Sequence, residues 1–237
     1  MIHSYGMVVL ASAIAVTAVP ARSVSEKDQD APDAPEASRP RIVVLGDSLT
    51  SGRGIGSALA FPALLQQRLD DAGLRYEMVN AGVSGDTSSG AVRRLERTLE
   101  GDVRVLIVAI GANDGLRGVP VARLNANLSR IIETAQARDI SVLLCGMEAL
   151  PIHGWGYSVA FHNAYRDLAA RYQVTLVPFI LMNVIGNPQL MQRDRAHPNA
   201  EGARMIADSI WPYLKTLIWL KTDVGREIAD CRVQIAD

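Results

Sequence analysis

The chain has 237 residues, of which 49% are apolar and 21% charged, with a formal net charge of −1. That length fills a full hydrophobic core in one domain, and the composition is that of an ordinary globular protein. The near-neutral balance excludes the basic stripe of a nucleic-acid binder, and two cysteines, Cys145 and Cys231, exclude a disulfide framework or a cysteine zinc cluster.

Residues 7–19 form an apolar run of signal-peptide length, too short to cross a membrane comfortably. The run ends at Val19-Pro20-Ala21, whose small residues suit cleavage after Ala21. No Lys or Arg precedes it, which departs from the usual leader and keeps an uncleaved anchor as the alternative. The expectation is an export signal over 1–21 and a periplasmic or secreted protein. No cysteine follows the run, which argues against a lipid-anchored form. Residues 22–40 are polar, acidic and punctuated by Pro32, Pro35 and Pro40, the composition of a disordered tether. The folded domain is expected over 41–220, with a polar tail over 221–237.

Ile42 to Leu45 run unbroken into Gly46-Asp47-Ser48, which predicts a strand buried on both faces. A helix is expected over 58–71, with Phe61, Leu64, Leu65 and Leu69 at helical spacing and Pro62 in its first turn. A second strand is expected over 75–80, followed by Ala81-Gly82-Val83-Ser84-Gly85-Asp86 and a helix through Val92, Leu95 and Leu99. The strongest strand signal, 103–110, runs into Gly111-Ala112-Asn113-Asp114. A long amphipathic helix follows over 120–138, then a strand over 140–145 in which Cys145 reads as a small core residue. A helix over 157–172, a strand over 174–177 and a closing helix over 200–217 complete the pattern.

Apolar strands alternating with helices mean a parallel sheet covered on both faces, an α/β architecture. Right-handed crossovers then bring all the strand C-terminal ends to one edge, where such sheets bind ligands. Three polar clusters, at 46–48, 80–86 and 111–114, fall on that edge. A turn accounts for any one of them; the convergence of three points to a site.

Ser48 is the candidate nucleophile. A serine needs a base, and the base needs a group that fixes its tautomer. His197, with Asp194 three residues upstream, offers both on one short loop. His162 lies inside a predicted helix and reads as packed or solvated; His153, in a loop beside Gly154, reads as a pocket or surface residue. Acyl transfer also needs donors for the developing oxyanion, and the candidates are the Gly85 N–H, the Asn113 side-chain amide and the Ser48 N–H. Asp47 and Asp114 would suit glycosidase chemistry as a pair, but they read instead as turn and helix-start residues that accept from backbone N–H groups. In 147–161, Trp155 and Tyr157 are candidate walls of an acyl groove, against the alternative of a connection whose aromatics pack on the core.

These segments resemble the four blocks of the GDSL/SGNH hydrolase family: Gly46-Asp47-Ser48-Leu49 for the nucleophile, Gly85 within 80–86, Asn113 within Gly111-Ala112-Asn113-Asp114, and Asp194-x-x-His197. Within it, NAGVSGDTSSG, GANDGLRG and HPNAEGAR are most similar to the arylesterase and acyl-CoA thioesterase/lysophospholipase branch. The resemblance implies a flavodoxin-like α/β/α sandwich around a five-stranded parallel sheet, no metal or organic cofactor, and hydrolysis of small carboxylic esters or thioesters. One departure stands out. The family pattern is Asp-Gly-Ile/Leu-His-Pro, whereas this chain has Asp194-Arg195-Ala196-His197-Pro198; if the glycine position needs a positive φ, Arg195 strains the loop. A carbohydrate O-acetylesterase of the same fold, a non-catalytic flavodoxin-like binding module and an inactive relative are the competing readings. The absence of a Gly-Lys-Ser/Thr phosphate loop removes a nucleotide hydrolase.

Overall fold

In the computed structural model, residues 39–220 are described, so the expectations placed on 1–21, 22–38 and 221–237 lie outside the described residues. Five strands, β1 (Arg41–Gly46), β2 (Glu77–Gly82), β3 (Val103–Ala109), β4 (Ser141–Cys145) and β5 (Thr175–Val177), pair parallel throughout in the order β2-β1-β3-β4-β5. The order reverses between β1 and β3, which creates a crevice beyond their carboxyl ends. Ile42 to Leu45 and Val105 to Ala109 are almost completely buried, as strands covered on both faces must be. Cys145 lies fully buried among them, and burial pushes its thiol up to about 12.

Around the sheet run α1 (Ser48–Ser51), α2 (Phe61–Asp71), α3 (Ser88–Thr98), α4 (Ala112–Arg117), α5 (Val121–Gln136), α6 (Trp155–Tyr172) and α7 (Ala200–Leu220). Helix α2 packs with α7, while α3 packs with α5 and α5 with α6, giving the two outer layers. On α5 the buried residues are Leu124, Leu128, Ile131, Ile132 and Ala135, the stripe that its 3.6-residue period puts on one face. Among the described residues no helix is long and apolar enough to cross a membrane.

The elements differ from the sequence expectation mainly at their ends. Residues 57–59 form a single 3-10 turn, and the chain extends at Ala60 (ψ 152°) before α2 starts at Phe61. The second strand lies two residues later than expected. Ala81 and Gly82, read as loop, continue the ladder because Leu45 and Gly46 of β1 are there to pair with them. Helix α6 begins two residues earlier, at Trp155, with consequences for the site.

Register aligns the strand ends that matter. Gly46 pairs with both Gly82 and Ala109, so the residues after all three leave the sheet side by side. The short helix α1 sits directly on this edge. A Cβ on Gly82 would lie 2.3 Å from the Ser51 nitrogen and 2.8 Å from the Thr50 carbonyl carbon. Gly82→Ala is therefore expected to push α1 outward, lowering stability by about 1–3 kcal/mol and displacing Ser48. Urea unfolding together with esterase assays checks this; unchanged stability and turnover would show that the close approach has no consequence.

Candidate active site

Three residues from two distant segments meet at the crevice. The sharp exit from β1 places Ser48 as the first residue of α1, with Asp47 at the N-cap accepting the Leu49 N–H at 3.0 Å. Ser48 is 8% exposed, and its Oγ lies 3.0 Å from His197 Nε2. His197 Nδ1 is 2.7 Å from Asp194 Oδ2. With Nδ1–H donating to the carboxylate, Nε2 is left as the acceptor for the serine hydroxyl.

Local backbone chemistry builds the loop that carries the base. An antiparallel bridge joins Met191 to Pro198, and the Gln192 N–H donates to the His197 carbonyl at 2.8 Å. Asp194 Oδ1 accepts the N–H groups of both Ala196 and His197 at 3.0 Å. The His197 bond and these two N–H groups hold the Asp194 carboxyl down at about 2, although it is solvent-exposed, so it stays an ionised partner well into acid. Arg195 has φ +55°, the left-handed conformation that glycine adopts without cost, so the sequence departure does fall on a strained position.

The donor candidates come from the other strand ends. Gly85, at φ +80°, lies in the tight turn closed by the Asp86 N–H on the Val83 carbonyl. The Asn113 amide donates to the Asp86 carbonyl at 2.9 Å and to Asp47 Oδ2 at 3.2 Å. Both protons of the amide are thus engaged, one of them in a long bond that an oxyanion of higher charge density can take over. Ser48, Gly85 and Asn113 all line one cleft of about 720 Å3.

Four polar groups behind the site were not singled out by sequence reasoning, or were assigned a different task. Arg94 on α3 donates to Asp86 Oδ2 at 2.8 Å, to the Ala81 carbonyl at 2.7 Å and to the Gly46 carbonyl at 2.9 Å, clamping the ends of β1 and β2 to the Gly85 turn. Nothing in the local pattern marks it, because Arg94 stands beside Arg93 and one turn before Arg97 on a largely polar helix. Asn80 adds a 2.8 Å bond to the Thr50 carbonyl. Asp114 stands in the first turn of α4 and accepts backbone N–H groups as expected, and it also reaches across to α3. It accepts Ser88 Oγ at 2.5 Å and the Ser88 N–H at 2.8 Å, fastening the third strand end to the second; burial raises its carboxyl despite these donors. Asp47 accepts Leu49 N–H as expected but also holds Asn113, and burial pushes its carboxyl up to about 6 against the pull of both bonds and of His197.

The expected aromatic wall divides. Because α6 starts at Trp155, residues two apart fall on opposite faces. Trp155, Ser158, Val159 and His162 line the cleft, and Trp155 is 74% exposed. Tyr157 points the other way: its hydroxyl donates to the Val119 carbonyl at 2.9 Å and its ring packs near Phe161, so its assignment to the cleft is corrected. His162 bonds Glu148 at 2.6 Å, and His153 contacts the Leu116 carbonyl at 3.1 Å; neither approaches Ser48. Met147, Ala149, Leu150, Phe179 and Leu181 make the remaining lining largely apolar.

Comparison with known proteins places this geometry in context. The GDSL-like Lipase/Acylhydrolase family profile matches residues 44–205. Esterase TesA of Pseudomonas aeruginosa is 38% identical over 184 residues, covering 77% of this chain and 92% of the relative. Thioesterase 1/protease 1/lysophospholipase L1 of Escherichia coli K12 is 34% identical over 178 residues, covering 75% and 84%. The crystal structure of the psychrotrophic esterase EstA from Pseudoalteromonas sp., inhibited by monoethylphosphonate, superimposes with a TM-score of 0.72 at 32% identity, covering 77% of this chain and 99% of that one.

Two outcomes follow from the strained and buried groups. Arg195→Gly is expected to raise stability by up to about 1 kcal/mol by relieving the positive φ, read as a shift in urea midpoint; no gain with an undisturbed loop would sink the strain argument. For Asp47 the folded carboxyl, at about 6, binds its proton more tightly than the unfolded one at 3.8. Its contribution to stability is therefore most favourable below the unfolded value and is lost as pH rises through about 6. Asp47→Asn should consequently become more stable relative to wild type as pH goes from 4 to 7, by on the order of 3 kcal/mol. It should also lose turnover, because Leu49 and Asn113 donate to different oxygens of the carboxylate and the substitution turns one of these acceptors into an NH2 donor. A pH-independent stability difference between the two proteins would contradict this.

Proposed function

The chain belongs to the GDSL-like lipase/acylhydrolase family, and from that premise we propose that it is a serine carboxylic ester hydrolase acting through Ser48, His197 and Asp194 on acyl esters or thioesters of short to medium chain. The observation that carries the residue assignment is the continuous relay of Asp194 Oδ2 to His197 Nδ1 at 2.7 Å and His197 Nε2 to Ser48 Oγ at 3.0 Å, opening on a largely apolar cleft.

In the first step Ser48 Oγ attacks the acyl carbonyl carbon while His197 Nε2 takes its proton. Asp194 stabilises the imidazolium and keeps the ring oriented. The carbonyl oxygen, now negative, is held by the N–H groups of Gly85 and Ser48 and by the Asn113 amide, which gives up its long bond to Asp47. Collapse of the tetrahedral species breaks the bond to the leaving alcohol or thiol, which receives the proton from Nε2. Water then attacks acyl-Ser48, with its proton passing to Nε2 and back to Oγ as the acid departs. Both halves use the same base, so no second titrating group is required.

The cleft lining supports an acyl chain over a sugar. Trp155, Leu150, Val159 and Leu181 offer apolar area, each buried methylene contributing about 0.8 kcal/mol. Residues 1–21 act as an export signal and 22–40 as a tether in this reading, supported by the apolar run and small residues ending at Ala21; the enzyme then works in the periplasm or outside the cell.

Assays with p-nitrophenyl acetate through octanoate test the function directly. Ser48→Ala is expected to abolish measurable turnover while the fold persists, and to lose covalent labelling by a fluorophosphonate; labelling that persists in Ser48→Ala would falsify the assignment. Asn113→Ala is expected to lower kcat by about 100–1000-fold with little change in KM. A loss confined to KM would remove Asn113 from the oxyanion site.

A further inference from the structure

The apolar wall of the cleft is interrupted by side chains that the reaction does not use. Trp155, Ser158, Val159 and His162 recur at helical spacing on the face of α6 that lines the cleft, and Ser158 and His162 bring polar groups to it. His162 Nδ1 lies 2.6 Å from Glu148, which lines the same cleft from the segment after β4. A carboxylate only accepts, so Nδ1–H donates, and Nε2 of the neutral ring is left as an acceptor. Ser158 adds an independent observation. Its Oγ is buried and bonds nothing in the protein, and among the described residues it is the one such side-chain atom in the cleft lining. Buried hydroxyls are normally paired, so the missing partner points to a ligand.

The position of these groups selects the half of the substrate that meets them. His197 hands its proton to the leaving group, which therefore lies on the side of the 194–197 loop. The acyl chain then runs over the opposite wall, among Met147, Ala149, Leu150 and Val159, and passes Ser158 and His162. Water still reaches the ion pair, whose side chains are 45% exposed at His162 and 36% at Glu148. A plain alkyl chain lying there displaces that water and gives no bond in return. A hydroxyl does give one on each side, donating to His162 Nε2 and accepting from Ser158 Oγ–H. One helical turn separates the two residues, about 5–6 Å between Cβ atoms, a gap that a single oxygen bridges. A carboxylate on the chain would instead meet Glu148 and an acceptor nitrogen.

We infer that Ser158 and His162, with Glu148 fixing the imidazole, form a specificity-determining subsite for a hydroxyl on the acyl chain, so that the enzyme prefers hydroxyacyl esters over plain ones of the same length. This rests on the hydrolase reading of the same cleft.

The test compares kcat/KM for p-nitrophenyl octanoate and its β-hydroxy and ω-hydroxy derivatives in wild type, Ser158→Ala and Ser158→Ala/His162→Leu. In wild type one of the two hydroxy esters is expected to exceed the plain ester by roughly 5–30-fold, and the double variant should bring that ratio close to one. Ser158→Ala alone should remove part of the preference, and Ser158→Thr, which keeps the hydroxyl, should retain it. A pair that merely pins 147–150 to α6 would lower all three esters alike and leave the ratio untouched. A wild-type ratio within about twofold of one for both hydroxy esters, or a preference that survives the double variant, overturns the inference. If wild type hydrolyses none of the esters, it is the hydrolase reading that fails. Calorimetric binding of octanoate and its β-hydroxy and ω-hydroxy derivatives then decides the subsite: tighter binding of a hydroxy acid that Ser158→Ala/His162→Leu removes sustains it, and equal or absent binding overturns it.

Discussion

The guanidinium of Arg94 bonds the end of β1, the end of β2 and Asp86 of the Gly85 turn at once, and the candidate oxyanion donors depend on those segments. At the crevice edge the Gly46 carbonyl accepts the Val83 N–H at 3.0 Å and keeps a second lone pair, and the Ala81 carbonyl stands at the end of the neighbouring strand. Arg94 satisfies both and uses its Nε–H for Asp86, whose own backbone carbonyl receives Asn113. The turn carrying Gly85, the end of β1 and the amide of Asn113 are thereby held in one hydrogen-bonded unit. Because all three bonds radiate from a planar guanidinium, the unit has a defined shape.

Around that unit the acids are sorted by environment. Asp47 and Asp114 are buried behind the site, and that burial raises both carboxyls against the pull of the neutral donors through which they tie strand ends together. Asp194 is exposed, accepts an imidazole N–H and two backbone N–H groups, and is driven the other way. Three aspartates near one serine thus have separate roles, and only the exposed one touches the histidine ring. The paired-carboxylate chemistry that Asp47 and Asp114 might suggest has no geometric basis, since each is committed to structural donors.

The base arrives on a small autonomous loop, not from the sheet. Its bridge, its Asp194 turn and its Gln192 tether make the loop self-consistent, and Gln192 joins it to the segment after α1. That division explains why a residue as foreign as Arg195 is tolerated at a positive φ. The strain is absorbed by a loop that shares little backbone with the core. It also leaves the mouth of the cleft free to vary in charge without disturbing the donors behind it.

Much of this was legible in the chain. Unbroken apolar runs must be buried strands, and polar clusters at their ends must share an edge if the crossovers are right-handed. Ser48, Gly85, Asn113, Asp194 and His197 could be named for the same reason, since each is set by local turn chemistry or by the end of a strand. What local pattern cannot carry is partnership across the sheet. Whether residues 81–82 are loop or strand depends on the register of β1, and which way Tyr157 points depends on a helix starting two residues earlier than its periodicity suggests. Arg94 with Gly46, Asp114 with Ser88, and the shared amide of Asn113 join segments from 26 to 66 residues apart, separations over which sequence spacing carries no information. The chain by itself determined the elements and the candidates for the reacting groups, because helix, strand and turn are decided by neighbours in sequence. Only the tertiary structure decided which carboxylate faces the base and which donors are already engaged, because those are properties of the three-dimensional packing that desolvates some groups and leaves others in water.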